Sequence, residues 1–87
     1  MGTNSREVTK ESKALVVAIK RAMAVKDMRT PGLAKKAEIP YSTLRKIMEG
    51  RSVADYEQLR KIAISLNTKA SVISADAEQL IEKGEIR

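Results

Sequence analysis

The sequence predicts an all-α fold: a compact five-helix domain whose second and third helices form a helix-turn-helix. Three observations carry that expectation. Strong helix formers dominate, with only four Gly and two Pro in 87 residues. Apolar residues recur at spacings of three and four rather than two. Helix-starting and helix-stopping residues (Thr-Pro, Ile-Pro, Gly, Asn) fall between the periodic stretches rather than inside them.

Residues 1–9, MGTNSREVT, are polar and unpatterned and read as a mobile N-terminal arm. That leaves 10–87 as a single domain, without internal repeats or low-complexity tracts. The first helix spans about Lys10 to Lys26. Leu15, Ile19, Ala22 and Met23 mark its buried face, and Val16, Val17 and Val25 broaden it. Thr30 then offers an N-cap, and Pro31 suits the first helical position, where its missing N–H costs nothing. The second helix, about Pro31 to Ala37, turns Leu33, Ala34 and Ala37 inward and Lys35 and Lys36 outward.

Pro40 cannot continue that helix, and it pushes Ile39 toward an extended conformation that plugs the corner. It is well placed to open a third helix, about 41–49, which Gly50 stops. Asp55 and Gln58 form a capping box for a fourth helix with Tyr56, Leu59, Ile62, Ala63 and Leu66 inward. Asn67, tolerant of the left-handed conformation, ends it. Ser71 caps a fifth helix that buries Ile73, Ala77, Leu80 and Ile81 and stops at Gly84.

Composition narrows the chemistry. Without cysteine there is neither a disulfide framework nor a thiolate metal site. Without histidine the commonest general base and the commonest metal ligand are gone. No Gly-rich phosphate loop and no dense acidic cluster stands in for them, so the expectation is no enzyme, no metal and no cofactor. The longest apolar run, Ala14 to Ile19, is far short of a membrane span and does not read as a signal peptide. A cytoplasmic, nucleoid-associated protein with no membrane partner is expected. Tyr41 and Tyr56 are the only aromatics, too few for a base-stacking platform on single strands.

Charge is unevenly spread. The net charge is +6, with +7 in residues 1–51 and −1 in residues 52–87. A basic half on so small a chain suggests a polyanionic partner. The third helix shows where one would bind. Leu44 and Ile47 face one way, flanked by Thr43 and Met48, while Ser42, Arg45, Lys46 and Glu49 line the other side. Tyr41 sits on the boundary at the N-terminal end. Arg and Lys donate to guanine O6 and N7, and hydroxyls serve bases or phosphates.

Two stretches, "LAKKAEIPYSTLRKIMEG" and "YEQLRKIAISLNTKAS", carry a family likeness. With Leu33 and Ala34 in the first motif helix, Ile39 closing the turn, Gly50 ending the next helix and Leu59, Ile62 and Ala63 following, residues 30–66 resemble the lambda-repressor-like, or Xre, helix-turn-helix family. The resemblance implies sequence-specific binding of double-stranded DNA, with the third helix in the major groove. It places base reading on Tyr41, Ser42, Arg45 and Lys46. It places backbone contacts on Thr30, Arg51 and Ser52, with Lys35 and Lys36 giving general attraction to the backbone. Two residues depart from the pattern. Glu38 stands where the family usually has Gly, and Glu49 where a neutral residue is common.

A small prokaryotic or phage transcriptional repressor fits these features, including one that acts as an antitoxin on its own operon. Specificity would come from a weak homodimer forming on a near-palindromic operator. Its surface would lie on the last or first helix, with Val72 and Ile86 extending one apolar patch. A different class of function, a protein-interaction module such as an antitoxin or adaptor, instead calls for an exposed apolar patch and salt-insensitive binding.

Overall fold

The computed structural model describes residues 9–86, so most of the expected N-terminal arm, residues 1–8, lies outside the described residues. Thr9 does not belong to an arm: its side chain accepts a hydrogen bond from the Ser12 N–H and caps the first helix. Among the described residues there are five helices: α1 (Lys10–Val25), α2 (Thr30–Ala37), α3 (Tyr41–Met48), α4 (Tyr56–Ser65) and α5 (Ala70–Glu82). None is long and apolar enough to cross a membrane. The all-α, five-helix architecture with a helix-turn-helix at α2 and α3 is therefore as the sequence predicts.

α1 packs most extensively against α5, while α2 meets both α3 and α4, and α4 meets α5. Buried alanines (Ala14 and Ala18 on α1, Ala70 and Ala77 on α5) suit the close approach of the outer pair. An exposed ion pair, Arg21 to Asp76 at 3.5 Å, spans the same two helices. The bulk at the centre is aliphatic: Ile19, Leu33, Leu44, Ile47, Ile62 and Leu66 are the largest fully buried side chains. Ser65, buried on α4, donates its hydroxyl to the Lys61 carbonyl at 2.8 Å and so leaves no polar atom stranded.

All five helices end alike. A left-handed residue follows each: Asp27, Glu38, Gly50, Asn67 and Gly84. The next N–H then reaches back to the last turn. Met28 bonds Met23 at 2.9 Å, Ile39 bonds Ala34 at 3.0 Å, Arg51 bonds Lys46 at 2.8 Å, Thr68 bonds Ala63 at 2.9 Å and Glu85 bonds Leu80 at 2.9 Å. This Schellman geometry satisfies carbonyls that a helix end would otherwise leave open. At α1 and α2 the returning residue is also apolar and packed, Met28 partly and Ile39 fully.

Starts vary more than stops. The capping box forms as expected, with Asp55 accepting from the Gln58 N–H at 2.7 Å and the Gln58 side chain accepting from the Asp55 N–H at 3.0 Å. Thr30 is not an N-cap but the first residue of α2, preceded by Arg29, and no side chain caps that end. Ser71 is likewise inside α5, where Lys69 is the boundary residue. In both cases the helix begins one or two residues early, and neither hydroxyl makes a cap hydrogen bond. α3 ends at Met48, one residue before the expected Glu49, because Glu49 already has ψ near 0°.

Three apolar expectations fail. Val25 is 81% exposed because α1 ends there and the chain turns away at Asp27. Tyr56 is 70% exposed: it is the first residue of α4, at a helix end that no neighbour covers. Val72 and Ile86 do not form one patch. Val72, near the start of α5, is 54% exposed, whereas Ile86 folds back beyond Gly84 beside Val16 and Val17.

Glu38 has φ 58° and ψ 42°, a region that a β-carbon makes costly. Its carboxylate also sits at the negative end of α2. Glu38→Gly should therefore keep the helical circular-dichroism spectrum and stabilise the fold by up to about 1 kcal/mol, strain relief outweighing added chain entropy. Chemical denaturation reads the result, and a lower midpoint would contradict it.

Candidate nucleic-acid interface

α3 is short and sharply two-sided. Leu44, Ile47 and Met48 are buried and fix the helix to the core, while Tyr41, Ser42, Arg45 and Lys46 are exposed together on its other side. The joint with α2 sets this orientation. Left-handed Glu38, buried Ile39 and Pro40 form the whole connection, and Pro40, with φ −54°, starts α3 directly. Neither α2 nor α3 has a side-chain cap or an acidic residue in its first turn. The positive ends of both helix dipoles thus stand without a local carboxylate.

One contact network lies on the exposed side. The Arg45 Nε donates to Glu49 Oε2 at 2.8 Å. The Arg51 Nε donates to Glu49 Oε1 at 3.0 Å, and Arg51 Nη2 lies 2.9 Å from the same oxygen. One carboxylate therefore holds two guanidiniums, one on each oxygen. Gly50 makes this geometry accessible: its φ of 80° turns the chain back, so Arg51 returns over the last turn of α3 rather than leaving it. Hydrogen bonding from Arg45 is the main cause that holds the Glu49 carboxyl below the ordinary glutamate range; desolvation comes next and opposes it, and hydrogen bonding from Arg51 adds to the lowering. Reciprocally, the bond to Glu49 raises the Arg45 guanidinium, with the nearby Tyr41 contributing.

The remaining expected residues fall as follows. Lys46 is exposed and makes no ion pair with any described residue. Lys35 and Lys36 are exposed on α2, and Thr30 and Ser52 are half-buried. The structure thus joins Arg45 to Arg51 through Glu49, and among the described residues no hydrogen bond or ion pair links Thr30, Lys35 or Ser52 to that trio. The pairing was half visible in the sequence, since Arg45 and Glu49 are spaced i,i+4, although with Arg preceding Glu, the weaker order on a helix. Arg51 joins only through the fold of the Gly50 turn, which no helical spacing reveals.

No protein-family model matches this sequence, and no curated protein does. Among solved structures, the fold is similar to that of the clp gene regulator ClgR from Corynebacterium glutamicum. The TM-score is 0.80 over 91% of this chain and 84% of that one, at 18% identity. At that identity the likeness is one of fold.

The ion-pair network can be checked by titration. A group whose folded pKa is lowered adds stability above its unfolded pKa and loses it as pH falls through the folded one. Carbon-detected NMR of the Glu49 carboxyl should place its midpoint below the ordinary glutamate range. Arg45→Ala should move it back further than Arg51→Ala, following the order of their contributions. A Glu49 midpoint that ignores both substitutions would show that the contacts do not persist in solution.

Proposed function

We propose that this chain is a sequence-specific double-stranded DNA-binding transcriptional regulator, a small repressor of the lambda-repressor-like (Xre) type that lays α3 in the major groove. The observation that carries this reading is the exposed side of α3. It presents two hydroxyls and two long cations from a helix whose other side is locked into the core. A helix seated this way at the second position of a helix-turn-helix suits major-groove entry. The fold likeness to a gene regulator supports the same reading.

In this reading Arg45 and Lys46 reach guanine O6 and N7, and Tyr41 and Ser42 serve base edges or nearby phosphates. Thr30 stands at the uncapped start of α2, where first-turn N–H groups and the dipole favour a phosphate. Arg51 and Ser52 grip the backbone beyond α3, and Lys35 adds attraction. Residues 10–87 would act as the DNA-binding unit, at work on the nucleoid in the cytoplasm.

A single recognition helix reads few base pairs, so two copies would pair weakly on a near-palindromic site, half-sites spaced by about 10–10.5 bp. Exposed Tyr56 and Ile64 line one hollow with Arg60 and the start of α5, and offer that pairing more apolar surface than Val72 and Ile86 do.

Selection from a random duplex pool tests the function directly. It should return a two-fold site, and a pool that never enriches would refute the reading. On the selected site, Arg45→Ala should cost about 1–3 kcal/mol and far less on scrambled DNA. Arg51→Ala should instead weaken both duplexes alike and lower the log–log salt slope by about one. Equal losses for Arg45→Ala on the two duplexes would make it a backbone contact.

A further inference from the structure

The outward side of α3 ends in a carboxylate, which is unexpected on a surface meant to meet phosphates. An isolated Glu49 there would repel the duplex. It is not isolated. Its two oxygens are each occupied by a guanidinium, at 2.8 Å and 3.0 Å, and the trio carries a net positive charge. All three side chains are exposed, and exposed ion pairs contribute little to fold stability. The arrangement therefore needs an explanation other than holding the fold together.

The donor atoms supply one. Arg45 is bound through Nε, which leaves Nη1 and Nη2 free to donate as a parallel pair. That pair matches the spacing of guanine O6 and N7. Arg51 is held by Nε and Nη2, and its Nη1 takes no part in the contact with Glu49. Long side chains lose rotamer freedom when they dock, and a guanidinium already held in place loses less.

We propose that Glu49 is a positioning residue for DNA reading, one that fixes Arg45 and Arg51 as a single preformed unit so that the base-reading and backbone-gripping guanidiniums engage in register. The proposal rests on the reading of α3 as the recognition helix. Glu49 touches no base in this scheme and acts through the two arginines. The left-handed Gly50 is part of the device, since the bond from the Arg51 N–H to the Lys46 carbonyl at 2.8 Å returns Arg51 to within reach.

Two roles for Glu49 make opposite predictions. As a positioning residue, its loss disorders the readers and harms specific binding even though a negative charge has left the interface. As a mere charge or a brake on the arginines, its loss helps binding everywhere. The experiment measures dissociation constants of the full chain, Glu49→Ala and Glu49→Gln on the selected duplex and on a scrambled duplex of equal length. For Glu49→Ala, binding to the selected site should weaken about fivefold, a fraction of what one bidentate pair supplies. Binding to the scrambled duplex should tighten about twofold, because one repulsive charge is gone. Glu49→Gln keeps an acceptor oxygen for one arginine and should restore part of the lost ratio. Thermal melts that coincide for all three chains would exclude an effect through folding. Equal tightening on both duplexes, or no change on either, would overturn the proposal. A wild-type chain that prefers no duplex would overturn the DNA reading and this proposal with it.

Discussion

The direction in which α3 faces depends on a single reversal of the backbone. Glu38 takes the left-handed conformation, the Ile39 N–H returns to Ala34, and the Ile39 side chain is buried in the corner so formed. Pro40 then begins α3 without a donor to satisfy. No residue of this joint is free to relax alone. Swinging α3 would expose Ile39, and straightening Glu38 would break the bond that closes α2. An apolar anchor of this kind converts a local dihedral preference into a fixed angle between two helices. That is what allows eight residues of α3, too few to be stable in isolation, to present a rigid edge.

The same economy governs the other helix ends. Of five left-handed stops, only Gly50 and Gly84 are glycine, while Asp27, Glu38 and Asn67 accept the conformation with a side chain attached. Asn and Asp tolerate it by local hydrogen bonding, and Glu is the least suited of the three. The strained position is thus at the joint that orients α3, not at a peripheral loop. Packing supplies what the dihedral withholds, since the residue after Glu38 is the most deeply buried of those that follow the five stops.

Most of the architecture was legible in the sequence, and the reasons it was legible explain where it was not. Periodicity located all five helices, and the Asp55–Gln58 box, Asn67, Gly50 and Gly84 marked ends because each acts on neighbours within a few residues. The misplaced residues fail on information that is not local. Thr30 and Ser71 are good caps by type, but tertiary packing begins α2 and α5 slightly upstream of them. Val25 and Tyr56 fit an apolar spacing, yet each lies at a helix end where no neighbour arrives to cover it. The exposed stripe of α3 was readable from helical geometry alone, because a strongly two-sided short helix leaves no choice of which face is buried. The link from Glu49 to Arg51 was not, since it depends on the path of the chain after Gly50.

The aliphatic core has an optical consequence. With no Trp or Phe in the chain and both tyrosines exposed, ultraviolet emission comes entirely from the surface. Loss of the buried core changes the surroundings of neither ring greatly, so unfolding is better followed through the peptide bond than through fluorescence. The two rings report on different places. Tyr41 opens α3 beside Arg45, whereas Tyr56 opens α4 next to the hollow formed with the start of α5. Replacing either by Leu leaves a chain with one native fluorophore: one version watches the edge of α3, the other watches the hollow beside α4, and neither needs a dye.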